Sequence, residues 1–139
     1  MKLRSKLTLA IGLVGVALLV FILRSPTTES GSGSGAALVS VIVPELSASE
    51  KIGEVAYNAN CASCHGANGA GQDGVAPPFV HRVYEPNHHG DGAFFVAVQN
   101  GVRAHHWSFG DMPPVQGVSR AEVGQIITYI RTLQRANGI

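Results

Sequence analysis

The sequence predicts a small all-α domain behind a single apolar N-terminal segment. Three observations carry this expectation. Apolar residues recur at helical spacing in three stretches, two of them opened by a capping box. No stretch alternates with the period of two that a half-buried strand needs. The connections between the three stretches are long and rich in Gly and Pro, so they need something to wrap around. A chain of 139 residues holds one domain and little else.

The N-terminal segment is basic and apolar, and the body is mildly acidic. Four of the ten Lys and Arg residues (Lys2, Arg4, Lys6, Arg24) fall in the first 24 positions. The rest of the chain carries six basic against nine acidic residues, a balance of −3. With 14% charged residues and no basic stripe, nucleic-acid binding is excluded. With 45% apolar residues, so is an intrinsically disordered chain. Leu7 to Leu23 is free of charge and bracketed by Lys6 and Arg24. As a helix, the stretch between these two cations would extend roughly 28 Å, close to the ~30 Å of a bilayer core. No small-x-small cleavage site follows Leu23 at the right distance, so we read residues 1–24 as an uncleaved membrane anchor, with a cleaved signal as the alternative. Three cations before the span and one after it place the N-terminus in the cytoplasm.

Residues 25–46 read as a flexible linker, because Ser30 to Gly35 alternates Ser and Gly and offers nothing to bury. Leu38 to Val43 is the exception. It is apolar and β-branched, and is expected to lie against the domain or the membrane surface.

Residues 47–139 form the body. Ser47 with Glu50 is a capping box opening a helix through Ile52, Val55 and Ala56 that stops near Asn60. Asp91 is the expected N-cap of a second helix carrying Phe94, Phe95 and Val98, ended by Asn100-Gly101. Ser119 with Glu122 opens the third, whose stripe is Val123, Ile126, Ile127, Ile130 and Leu133 before Asn137-Gly138. A body this small often needs a bound cofactor to complete its core.

The chain holds two cysteines, in Cys61-Ala62-Ser63-Cys64-His65. They are too close to staple a fold. A thioredoxin-like dithiol would need a βαβ context, and zinc would need to recruit distant ligands. The C-x-x-C-H spacing instead suits covalent haem: two thiols form thioethers to the vinyl groups, and the adjacent His65 meets the iron. Met112 is the one internal methionine, in Gly110-Asp111-Met112-Pro113-Pro114. The prolines stiffen the backbone after it, and a loop thioether so placed is the expected sixth ligand. His105 or His106 in that role is the alternative, and would lower the reduction potential.

With these residues in hand, the chain resembles the class I c-type cytochromes, specifically membrane-anchored bacterial monohaem members. The resemblance covers roughly residues 48–139, through Gly53, Tyr57, Cys61-x-x-Cys64-His65-Gly66, Pro77-Pro78-Phe79, the helix around Phe94–Gly101, Met112-Pro113 and Tyr129. It implies a fold of three to four helices around one haem c. It also implies a crossing of the first and last helices at Gly53 beside Tyr57 and Tyr129. The proline matched to Pro77 is expected to offer its carbonyl to His65, although Pro78 leaves this open by one residue. By the resemblance, Trp107 and Arg103 either hydrogen-bond haem propionates or serve as packing (Trp107) and a solvated surface charge (Arg103). Arg82 and Tyr84 are open in the same way.

The function implied is one-electron transfer without catalysis, between membrane complexes such as a quinol-oxidising cytochrome bc complex and a terminal oxidase. The haem domain would then sit in the periplasm, tethered to the cytoplasmic membrane. A dedicated cytochrome subunit of one oxidoreductase is the nearest alternative, and a haem sensor or enzyme with a labile Met112 is a further one. His88-His89 and His105-His106, with His81 nearby, are expected to line the loops over the haem, one of each pair facing solvent. A second metal site built from them, copper for example, is the alternative, but no familiar ligand spacing marks it.

Overall fold

In the computed structural model, residues 35–139 are described. The anchor of residues 1–24 and the first part of the linker lie outside the described residues. Among the described residues, no helix is long and apolar enough to cross a membrane.

Among the described residues, four helices form in order: α1 (Ala48–Asn60), α2 (Ala62–His65), α3 (Asp91–Asn100) and α4 (Arg120–Ala136). Short 3-10 turns occur at Ala67–Gly69 and Arg82–Tyr84. Both capping boxes form: Ser47 accepts from the Glu50 amide and Ser119 from the Glu122 amide, each Glu reaching back to the cap's own amide. Asp91 differs from the expectation. Gly90 is the N-cap without a side-chain bond, and Asp91 enters the first turn with its carboxylate turned to Arg131.

The core is α1 against α4, closed by loop residues. Val123, Ile126, Ile127, Ile130 and Leu133 are all buried, as their spacing predicts. On α1 the expected stripe is wrong, because Ile52 and Val55 are 53% and 69% exposed. The inward face is Gly53 and Tyr57, with Ala56 packed beside them. A Cβ on Gly53 would stand 2.2 Å from the Gln125 carbonyl oxygen, so only glycine lets the two backbones approach this closely. That approach turns Tyr57 inward onto Tyr129, with ring centroids 5.5 Å apart, and turns Ile52 and Val55 out.

Residues 36–46, expected to finish the linker, belong to the body. The amides of Leu38 and Val39 both donate to the Ala70 carbonyl, and Asn137 closes two 2.8 Å bonds with the Ile42 backbone. Val39, Val41 and Leu46 pack on the core. The apolar run Leu38–Val43 is thus a strap over the domain, one of the two placements expected of it, because its side chains find apolar surface.

A polar hub on α4 holds the long segment between Phe79 and Asp91. Buried Arg131 donates to Asp91 (2.9 Å), the Tyr84 carbonyl (2.7 Å), the His89 carbonyl (2.6 Å) and Gln134 Oε1 (2.7 Å). Gln134, 1% exposed, donates to the carbonyls of Phe79 and Tyr84. Buried polar side chains are tolerable because each is bonded. Replacing Arg131 with Met strips donors from two carbonyls and a charged partner. The expected loss is about 2–4 kcal/mol, read as a lower denaturant midpoint with unchanged slope.

Candidate functional site

The break after α1 builds the first half of the site. Cys61 leaves the helical region (φ −123°, ψ −32°), and a single new turn, α2, presents Cys64 and His65. The Cys61 amide still bonds to Tyr57 and the His65 amide to Cys61. Gln72 donates to the carbonyls of Ala62 and Ser63, and the Tyr57 hydroxyl donates to Gly66 at 2.7 Å. The C-x-x-C-H turn is therefore clamped from both sides. Cys61 and Cys64 carry free thiols, the first half-buried and the second exposed. Burial, then the neighbouring Cys64, pushes the Cys61 thiol up to about 11.

His65 is 8% exposed and its Nδ1 lies 2.9 Å from the Pro77 carbonyl. The proline position left open by one residue is thus 77. A donated Nδ1–H fixes the tautomer and leaves Nε2 as the ligand nitrogen. Burial lowers the His65 pKa, partly opposed by that hydrogen bond, which favours the uncharged imidazole. Its ring stacks on Phe79 at 4.2 Å, with interplanar angle 26°.

The second half is a loop closed at its neck. Val102 and Met112 exchange both backbone hydrogen bonds at 2.9 Å, and the Val115 amide bonds to the Val98 carbonyl at the end of α3. Gly101, with φ +74°, sits where a Cβ would fall 2.4 Å from the Met112 carbonyl. The half-buried Met112 is thus fixed through its backbone. Within the loop, Ala104 N–H donates to Asp111, and Trp107 stacks on Phe109 and meets His81 edge-on. Arg103 and Arg82 are exposed.

A run of rings joins the two halves. His65 stacks on Phe79, Phe79 meets Tyr84 at 5.4 Å, and the Tyr84 phenol lies toward Trp107. Burial raises the Tyr84 phenol to about 12, opposed by the Trp107 N–H, although no hydrogen bond of ordinary geometry joins the two. Trp107 Nε1 is sealed from solvent without a partner.

The residues fit a covalently held haem. Two free thiols precede a buried histidine whose spare nitrogen is Nε2, and a buried indole N–H lacks the acceptor that a propionate would supply. Arg131 and Gln134 escape the sequence reading, and Phe79, quoted there with Pro77-Pro78, carries no role in it. The available signal was the placing of an Arg and a Gln inside the apolar stripe of α4.

The histidine pairs do not alternate as expected. His88 and His89 lie in the turn 85–90, not on extended backbone, and both rings join one cluster with His106. Partial desolvation, then the neighbouring imidazoles of His105, His88 and His89, lowers the His106 pKa.

No curated protein matches the chain. A family model described as Cytochrome c matches residues 50–134, which takes in most of α1 and α4, the C-x-x-C-H turn and the Met112 loop. That match spans well over half of the sequence, and the chain belongs to the cytochrome c family, whose members transfer electrons through covalently bound haem c.

Proposed function

We propose that the protein is a one-electron carrier with a single haem c, attached through Cys61 and Cys64 and ligated by His65 and Met112. The observation that carries this reading is His65: buried, and held through Nδ1 by Pro77 directly beside two free thiols. When bound, the haem supplies a one-electron iron couple. The chain's own part is to orient His65 through Pro77 and Phe79, to hold Met112 by its paired backbone, and to offer the Trp107 N–H to a propionate. Two protein ligands leave no position for substrate, which favours outer-sphere transfer over bond making.

The apolar, cation-flanked residues 1–24 support anchoring in a bacterial cytoplasmic membrane, with the haem domain in the periplasm. The partners of such a carrier are membrane redox complexes, a quinol-oxidising cytochrome bc complex and a terminal oxidase among them. A tether raises the effective concentration of a carrier near them. The weak body charge means docking relies more on apolar contact than on steering.

The test is an optical spectrum of the membrane-bound protein, oxidised and reduced, with CO added to the reduced form. A c-type reduced spectrum, a far-red methionine-to-iron band when oxidised and no response to CO are expected. Ready CO binding would favour a sensor or enzyme and defeat the carrier reading. For Trp107→Phe in the haem-loaded protein, the expected loss is about 1–2 kcal/mol of stability, since the indole then has an acceptor. An indole without one would make the change neutral or stabilising, and urea denaturation separates the two.

A further inference from the structure

The histidines outside the haem ligand set converge. One ring nitrogen from each of His88, His89 and His106 lies within 4.8 Å of the other two. His88 Nε2 and His106 Nε2 are 3.2 Å apart. Two imidazole nitrogens on one tetrahedral ion, each at about 2.0–2.1 Å, stand about 3.3 Å apart. The geometry points to a second metal site, in which His88, His89 and His106 take one divalent late-transition-metal ion of the zinc or copper(II) class.

The support around the three rings is what a built site requires. His89 Nδ1 is hydrogen-bonded to the Val83 carbonyl, which fixes its tautomer and leaves Nε2 for a metal. The turn carrying His88 and His89 is held by their amides on the Glu85 carbonyl and by Arg131 on the His89 carbonyl. His106 comes from the loop whose neck is the Val102–Met112 pair and whose interior is braced by Asp111 on the Ala104 amide. Three imidazoles without thiolate or carboxylate suit borderline ions, not calcium or magnesium. Three protein ligands leave a fourth position for water or an exogenous ligand. His105 lies beside His106, with its Nδ1 turned back to the Arg103 carbonyl, and is not one of the three.

An ion here would staple the Met112 loop to the turn before α3. A run of ring contacts would connect it to His65: His89 meets Tyr84, Tyr84 meets Phe79, and Phe79 stacks on His65.

Calorimetric titration of the full-length, haem-loaded ferric protein with Zn²⁺ tests the site, because zinc exchanges no electrons with the haem. One zinc per chain with a micromolar or tighter Kd is expected. His88→Gln and His106→Gln should each weaken it tenfold or more, while His105→Gln stays within about threefold. Both ligand positions are exposed, and an unchanged haem spectrum reports that each variant is folded. Substoichiometric binding, or His105→Gln and His106→Gln losing equally while His88→Gln does not, would overturn the proposal in favour of an ordinary surface histidine pair.

Discussion

Met112→Ala is expected to remove the far-red methionine-to-iron band, admit CO to the ferrous protein and lower the reduction potential by some tenths of a volt. Axial ligands set haem potentials over a span of about 0.8 V, and a thioether lies on the high side of it. The substitution is informative because the loop does not depend on the side chain for its place. Met112 is held by two backbone hydrogen bonds to Val102, by Val115 on Val98, and by the fit of its carbonyl against Gly101. Alanine therefore takes away the sulfur and leaves the loop. His106→Gln is the matched control in the same loop, expected to leave the band and the CO response as they are. Were Met112→Ala to keep both, the sixth ligand would lie elsewhere, with His105 and His106 the first places to look. Redox titration with spectroscopic readout decides between them.

What could be read without coordinates was whatever short-range chemistry dictates. Ser47 with Glu50 and Ser119 with Glu122 mark helix starts because a cap needs only residues three apart. The C-x-x-C-H turn declares its cofactor for the same reason. On α1 the apolar spacing points to Ile52 and Val55, the larger residues, whereas the crossing is decided by the absence of a side chain at Gly53, which the family resemblance alone marks. Asp91 reads locally as a cap, but its partner Arg131 lies forty residues away and no local pattern announces it. The apolar run Leu38–Val43 announces that the strap lies against some surface, but its anchors, Ala70 and Asn137, are distant in sequence and no local pattern names them. The histidine cluster failed for a similar reason. The ligand spacing is eighteen residues across two loops, and only the turn at 85–90 aims adjacent histidines the same way.

One chemical change at two glycines of the main helix pair is expected to act with opposite sign. Gly53→Ala should destabilise the haem-loaded protein by about 2–3 kcal/mol, the range for overpacking a close contact. Gly124→Ala should stabilise it by up to about 1 kcal/mol. Both substitutions bring the same gain in helix propensity, so the difference belongs to the surroundings. At Gly53 the new Cβ meets the Gln125 carbonyl oxygen at 2.2 Å and the Tyr129 Cβ at 3.0 Å, and the first of these is backbone, which cannot rotate aside. At Gly124 it meets nothing within 4 Å. Urea unfolding midpoints measure both effects, and a Gly53→Ala protein as stable as Gly124→Ala would mean that the helices cross further apart. The crossing also reaches the site. It sets Tyr57, whose hydroxyl holds the Gly66 carbonyl, and Tyr129, whose hydroxyl donates to Asn68 at 2.9 Å. Forcing α1 and α4 apart should therefore speed hydrogen exchange at the amides of residues 66–70, directly after His65, while those at the Val102–Met112 neck, which neither tyrosine touches, keep their protection.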